Sequence, residues 1–399
     1  MNEFNISIII PTYNDSELLD STIGAIRNQS YLPEELVIVD SSDNDEIKNS
    51  LNKLNVPFVI TYLHEDKLYP YEASNLGASI AKGEWLAFLD TKTIPKSNWL
   101  CEYKKIIETK NIDIVFGVTK YLADTSFQNL LRDSTYGRSG HETAPGTFIT
   151  KENFLMSGKI MSGVRSGGDI EWRNRLKSLN FKCITPVEIF LTYNSLPNKL
   201  IPTLKKFFIY QLHGSKVDIQ HTVKDIYLGL TLLMSAIIIP KWNSIVGWEK
   251  SYFYMPNVTK IYLLVLVTFF LLVLILDRFF LKKSLGSFSQ NIFKLLFFIF
   301  LFLIIFKWNG LIAGWIETSV WYVPHITKLY LGSILLASLL YRGVYFPLKH
   351  NVNKEFLFPF RWIQVGSLGL LLDLVKAPGY LIGALMMPFN KAKKELNKT

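Results

Sequence analysis

The chain has only two cysteines in 399 residues, Cys101 and Cys183. Neither belongs to a metal-spaced set, and both are expected to be reduced and buried in a cytosolic domain. Charge is also scarce. Asp, Glu, Lys and Arg make up 19% of the chain, yet the net charge is +10, so a positive excess sits on an otherwise apolar polypeptide. No recognition motif and no basic helix interleaved with aromatics accompanies that excess, which sets nucleic acid aside and leaves an anionic membrane surface as the expected partner. Internal repeats and low-complexity linkers are absent. The first apolar run is too short for a signal peptide and leads straight into a strand–helix–strand pattern.

That pattern is the strongest feature present. Ser7-Ile8-Ile9-Ile10-Pro11-Thr12-Tyr13-Asn14 and Leu36-Val37-Ile38-Val39-Asp40-Ser41-Ser42-Asp43 are short β-branched runs ending in polar residues. Such runs read as buried parallel strands whose carboxyl ends hold a ligand site. Leu18, Leu19, Ile23 and Ile26 share one face of a helix beginning near Ser16, which completes a βαβ unit. Further strands are expected at residues 58–63, 85–89 and 112–118, and helices at 74–81, 98–108 and 169–179.

Near residue 200 the composition changes to apolar blocks rich in Leu, Ile and Phe. Residues 261–276 and 295–306 are nearly uninterrupted and, with their flanks, each is long enough for the roughly 30 Å hydrocarbon core. Residues 329–346 form a third candidate, with Arg342 placed to snorkel; 226–239 is shorter. Residues 362–387 carry Asp373, Lys376 and Pro378 and read equally as an interfacial or broken segment. The expectation is about four spans, with five as the alternative. If the segment at 226–239 spans, Arg278, Lys282 and Lys283, then Lys349, Lys354 and Arg361, then Lys391, Lys393 and Lys394 all fall on the side of the amino-terminal half, which the positive-inside rule places in the cytoplasm. Just before the membrane part, Leu204, Phe207, Phe208 and Leu212 share a helical face beside Lys205, Lys206 and Lys216, read either as an amphipathic ramp on the bilayer or as a connecting helix.

The opening strand, the Pro-x-Tyr-Asn turn and the second strand ending in Asp40 resemble the inverting family 2 glycosyltransferases of GT-A fold. The resemblance covers about the first half of the chain; an ordinary nucleotide-binding α/β unit is the competing reading. It implies an α/β fold: a Rossmann-like, mostly parallel GT-A domain over residues 1–198, an amphipathic connector at 199–222, a membrane region at 223–387 and a basic cytoplasmic tail at 388–399. It also implies a nucleotide-sugar donor, expected to be a UDP-sugar, with Pro11, Thr12 and Tyr13 lining the base, Asp40 accepting hydrogen bonds from it, and Asn75 in a recurrent turn, Asn75-Leu76-Gly77. A helix-capping Asp is the alternative for Asp40.

Phe88-Leu89-Asp90-Thr91-Lys92-Thr93 lies where the family carries Asp-x-Asp, which holds a divalent ion, Mg or Mn, against the diphosphate. Lys92 replaces the second acid. Either Asp90 holds a weak metal alone, or Lys92 itself stabilises the departing diphosphate, or Lys92 faces solvent. Around Gly168-Asp169, Gly168 replaces the Glu of the family's Glu-Asp motif, and Asp169 keeps the Asp that is the family's general base. A helix N-cap is the competing role. A base is needed for a sugar hydroxyl and not for a lipid phosphate, so the acceptor is expected to be a glycan or lipid-linked glycan. Trp172 packs against the sheet or stacks on the acceptor ring; Arg165 and Arg175 reach the diphosphate or form a solvated face. Residues 135–147 read as an acceptor-side loop, His141 as neither acid nor ligand, and His64-Glu65-Asp66 as a polar turn. The Gln-x-x-Arg-Trp signature of processive synthases is absent after Asp169, which favours single transfer in cell-surface polysaccharide synthesis. A silent nucleotide-sugar binder and a transporter with an accessory domain stay open as alternatives.

Overall fold

The computed structural model describes residues 4–217, 336 and 338–386. The segments expected at 226–239, 261–276 and 295–306, residues 329–335 and 337 of the third candidate, and the basic tail lie outside these residues. The βαβ unit forms as β1 (Ile6–Thr12), α1 (Ser16–Arg27) and β2 (Glu35–Asp40), followed by α2 (Glu46–Leu51), β3 (Val59–His64), α3 (Pro70–Ile80) and β4 (Trp85–Phe88). Next come β5 (Thr93–Pro95), α4 (Trp99–Lys110), β6 (Ile114–Tyr121), α5 (Ser126–Thr135), β7 (His141–Thr150) and α6 (Lys151–Met156). The described part ends with α7 (Gly168–Ser178), β8 (Cys183–Ile184), β9 (Leu191–Tyr193), α8 (Leu200–Lys216) and α9 (Arg361–Leu385).

One nine-stranded sheet runs β3-β2-β1-β4-β7-β6-β9-β5, with β8 beside β6. β1, β2, β3 and β4 pair in parallel, whereas β7 runs antiparallel to both β4 and β6 and β5 antiparallel to β9. β6 also pairs in parallel with β8 and β9, so the sheet is mixed but mostly parallel, as expected, with its antiparallel pairings confined to β7 and to β5 with β9. The expected loop at 135–147 is replaced by the end of α5 and by β7. Its polar start, His141-Glu142-Thr143, hides the strand from periodicity; hydrogen-bonded neighbours on both sides hold it there, across a bulge between Val115 and Gly117.

Alternation along the strands fills two cores. Ile8, Ile10, Leu36 and Ile38 face Leu19, Ile23 and Ile26 of α1 and Trp99 and Tyr103 of α4. Ile9, Val37 and Val39 face Ala73 and Ala78 of α3 and Trp172 and Leu176 of α7. Burial on both faces is why β1 and β2 read as unbroken apolar runs.

One carboxylate lies within this frame. Glu35 accepts hydrogen bonds from Ser7 Oγ (2.8 Å), the Lys82 amide (2.9 Å) and Thr61 Oγ1 (2.7 Å). Burial alone raises its pKa, but those three bonds and the Lys82 charge outweigh it and the net shift is downward. A lowered folded-state pKa stabilises above the ordinary carboxyl range and is lost as pH falls through it. Glu35→Gln, which keeps the shape and removes the charge, is expected to cost about 1–3 kcal/mol at pH 7 and little at pH 3, read by urea denaturation at both pH values. Equal losses at the two pH values would refute the ionic role.

The carboxy-terminal elements bear on two expectations. Leu204 and Phe207 of α8 pack with Leu131 of α5 and with Leu368 and Leu372 of α9, so this part of the face lies against the protein. α9 crosses close to α8 at two glycines: a Cβ on Gly379 would stand 2.8 Å from the Phe208 carbonyl oxygen, and one on Gly383 would collide with that of Leu212. Arg342 does not snorkel. Its guanidinium meets Asp373 of α9 at 2.7 Å, with Lys376 of the same helix 3.7 Å from that carboxylate. Among the described residues no helix is long and apolar enough to cross a membrane. Of the cysteines expected to be buried, Cys101 is exposed on the outer side of α4, while Cys183 is partly buried and its thiol is pushed up to about 11 by that burial.

Candidate active site

Because β1, β2 and β4 are parallel neighbours, their carboxyl ends share one rim, and Thr12, Asp40 and Asp90 stand along it. Asp40 is fully buried. One carboxylate oxygen accepts from the Ser42 amide (2.9 Å) and hydroxyl (2.6 Å), the other from Tyr62 (2.9 Å). It does not cap α2, whose first turn begins six residues later, but it shapes the turn after β2. Tyr62 is pushed up to about 12 by burial and by this carboxylate. His64, read as part of a polar turn, ends β3 with its ring 3.9 Å from Asp40.

Pro11, Thr12 and Tyr13 differ in exposure. Thr12 is buried and its hydroxyl has no hydrogen-bond partner among the described residues; the same holds for Ser41 at the end of β2. Pro11 is partly buried, and Tyr13, 54% exposed, donates to Asp43 at 2.8 Å across the mouth of β1 and β2. Asn75 is turned away from this rim. It lies within α3 and not in a turn, and its amide exchanges two hydrogen bonds with the Ile160 backbone (2.7 and 2.9 Å), which ties it to the segment before α7.

Asp90 follows β4 and accepts from the Lys92 amide at 2.9 Å. Burial raises its pKa, against the lowering effects of Thr93, the Lys92 amide and the Lys92 and Lys206 charges. Lys92 neither faces open solvent nor stands free: its ammonium pairs with Asp15, before α1, at 2.9 Å. Lys206 of α8 enters the same space. Its ammonium lies 3.3 Å from the Tyr193 hydroxyl and over the rings of Tyr193 and Tyr210, both at 5.4 Å. Among the described residues no cluster of three or more His, Cys, Asp and Glu is placed to hold a metal ion. A divalent ion wants several hard oxygen ligands; one carboxylate flanked by two ammonium groups is a poor donor set, and the protein side does not fit the ion expected at Asp90.

Asp169 sits in the first turn of α7, behind Gly167 in the left-handed region (φ 86°). Tyr71 of α3 donates to one carboxylate oxygen at 2.9 Å, and Arg173, one turn on, reaches the other at 3.2 Å. No N-cap bond from its side chain forms, because the cap position is Gly167. A Cβ on Gly168 would lie 2.9 Å from the Tyr71 ring. The acid missing from the Glu-Asp pair thus leaves room for a tyrosine that holds the remaining Asp. Burial and the Asp169 charge push the Tyr71 phenol well up, so it stays a donor.

The other expected residues divide. Arg165, on the loop before α7, is exposed and its charge reaches Tyr13, Lys206, Tyr210 and His213, so it belongs to the site. Arg175 does not reach it: its guanidinium is tied to Glu171 at 3.2 Å and to the carbonyls of Ser157, Gly158 and Lys159. Trp172 is fully buried between Phe88 and Phe154 with its indole N–H on Ser157, so it cannot stack on an acceptor. His141 bonds the Tyr136 carbonyl and stacks on His350. Three contributors escaped the sequence reading: Tyr71, Lys206 and Tyr210. The first lies before the expected start of its helix, and the other two lie on a helix read for its apolar face.

Residues 7–168 match the model of glycosyl transferase family 2; the match stops one residue before Asp169. The chain is 24% identical over 183 residues to the glycosyltransferase AglE of Haloferax volcanii, covering 43% of this chain and 60% of that protein. It is 32% identical over 120 residues to the glycosyltransferase GlyG of Streptococcus pneumoniae, covering 28% and 38%. Among solved structures, the mannosyltransferase PcManGT of Pyrobaculum calidifontis, in complex with GDP-Man and Mn2+, aligns over 97% of this chain and 88% of its own at 15% identity, with a TM-score of 0.46. The chain thus spans about 60% of AglE and less of GlyG.

Proposed function

We propose that this protein is a membrane-associated inverting glycosyltransferase that moves one sugar from a nucleotide-sugar to a hydroxyl of a glycan or lipid-linked glycan. The observation that carries the reading is Asp169, held at the N-terminus of α7 by Tyr71 and Arg173, beside the strand-end rim. The buried, unbonded hydroxyls of Thr12 and Ser41 support a nucleoside site at that rim. Asp169 takes the proton of the acceptor hydroxyl as its oxygen attacks the anomeric carbon. The bond to the nucleoside diphosphate breaks on the opposite face, so the carbon inverts. Tyr71 and Arg173 fix the carboxylate so that the proton-accepting lone pair needs no reorientation during the step.

Membrane association rests on the apolar blocks of the sequence and on exposed apolar side chains near the carboxy-terminal elements, among them Tyr341, Tyr345, Phe358, Phe360 and Leu385. The charges of the sequence between and after the apolar blocks support a site on the cytoplasmic side.

The test is acceptor-dependent nucleotide release by the detergent-purified full chain over a panel of UDP- and GDP-sugars, with membrane extract as acceptor source. Release with one donor, dependent on extract, is expected; release with none would reject the assignment. Tyr71→Phe, which removes only the hydroxyl, is expected to lower kcat about 10-fold with the donor KM unchanged. A raised donor KM at unchanged kcat would place Tyr71 in donor binding instead.

A further inference from the structure

Among the groups around Asp90, Lys206 is set apart by where it comes from and by what it lacks. It belongs to α8, beyond the stretch that matches the family. Its ammonium is partly buried, rests on two tyrosine rings and has one hydrogen-bonding neighbour, the Tyr193 hydroxyl. Among the described residues no carboxylate lies within 4.0 Å of it, in contrast to Lys92, which Asp15 neutralises at 2.9 Å.

Folding has therefore placed a cation in an aromatic recess with no carboxylate in contact and only Asp90 acting on it at longer range, which is costly unless a ligand supplies further negative charge. The surroundings say what that ligand is. Asp90 and Lys92, after β4, and exposed Arg165, before α7, act on Lys206 electrostatically, while Tyr210 lies between Arg165, Asp90 and Asp169. The Lys206 ammonium thus lies between the end of the parallel strands and the catalytic loop, where the bond to the leaving group would break. Burial and the Lys92 charge lower its pKa to about 8, still protonated near neutrality. α8 is pinned to the catalytic loop by Ser166, whose hydroxyl donates to the Tyr210 carbonyl at 2.6 Å, and by Val217 packed with Met161 and Val164.

We infer that Lys206, with Arg165, is the cationic receptor for the nucleoside diphosphate of the donor, occupying by charge the place that a divalent ion would take beside Asp90. The inference rests on the glycosyltransferase reading and deepens it. When the glycosidic bond breaks, the electron pair stays on the β-phosphate oxygen. An ammonium already in place stabilises that charge and needs no rearrangement. Lysine supplies this as a point charge. Asp90 then balances the charge of the two lysines, and it is not the main ligand of a metal.

The experiment is calorimetric titration of the full-length protein in detergent with UDP, GDP and the nucleosides uridine and guanosine, each in EDTA and again with Mn2+. The wild type is expected to bind one diphosphate in EDTA. Lys206→Met, similar in length and apolar enough for the aromatic recess, is expected to weaken it about 10–100-fold. Lys206→Arg is expected to stay within about threefold, and binding of the matching nucleoside to be the same in all three proteins. A thermal melt within a few degrees of wild type confirms that the variants fold. Unchanged diphosphate binding by Lys206→Met, or wild-type binding that appears only with Mn2+, overturns the role of Lys206 and leaves the transferase intact. Absence of binding by the wild type to every nucleotide, with and without Mn2+, overturns both.

Discussion

Asp169→Asn is expected to reduce kcat for sugar transfer by about 10²–10⁴-fold while the donor Kd stays within about twofold. Asparagine has the same shape and its carbonyl still accepts from Tyr71 at the position where that hydroxyl now meets the carboxylate at 2.9 Å. The loop, the start of α7 and the donor pocket should therefore be preserved. What is lost is the capacity to take a proton from an acceptor hydroxyl whose own pKa lies far above neutrality. Nucleotide release under saturating donor and acceptor, paired with donor titration, measures both quantities. A variant that keeps more than a tenth of kcat would mean that the acceptor arrives already ionised, as a lipid phosphate does, and that Asp169 only shapes the loop. Activity regained by Asp169→Glu, even weakly, would add that the carboxylate and not its hydrogen bonds is required.

The second large effect concerns stability. Trp172→Ala is expected to destabilise the domain by about 3–5 kcal/mol, because it empties the space between Phe88 and Phe154 and removes the indole N–H that now donates to the Ser157 hydroxyl. Urea denaturation followed by far-UV circular dichroism measures it. Trp172→Phe should cost less and leave the acceptor KM unchanged, since the ring lies wholly within the second core. A Phe variant of native stability with a several-fold higher acceptor KM would return Trp172 to the acceptor site.

The two residues show where sequence reading succeeds and where it stops. The strands at β1 and β2 were legible because both of their faces are buried, which writes an unbroken β-branched run, and the helix α1 because one face alone is buried. Asp40, Asp90 and Asp169 were legible as acids at strand ends or at a helix start. β7 was not, since a strand beginning His141-Glu142-Thr143 takes its conformation from hydrogen bonds to β4 and β6 and not from its own pattern. Arg175 and Asn75 carried the right chemistry at plausible spacing, yet local carbonyls captured one and a distant backbone segment the other. Lys206 and Tyr71 share the opposite history. Lys206 comes from a helix read for its apolar face and Tyr71 from residues before the expected start of α3, and only the long-range approach of α8 and α3 to the α7 loop gave each a chemical setting.

The crossing of α8 and α9 has a consequence for how the molecule is made. The helix that delivers Lys206 lies between α5 and a partner whose residues follow it by about 150 positions, with the Gly379 and Gly383 contacts and the Leu204–Leu368 packing all waiting on that partner. During synthesis the amino-terminal sheet can form while α8 still lacks one side of its seat. The emerging enzyme would thus be silent toward the nucleotide-sugars around it, and competence would come as a late step, set by the arrival of α9.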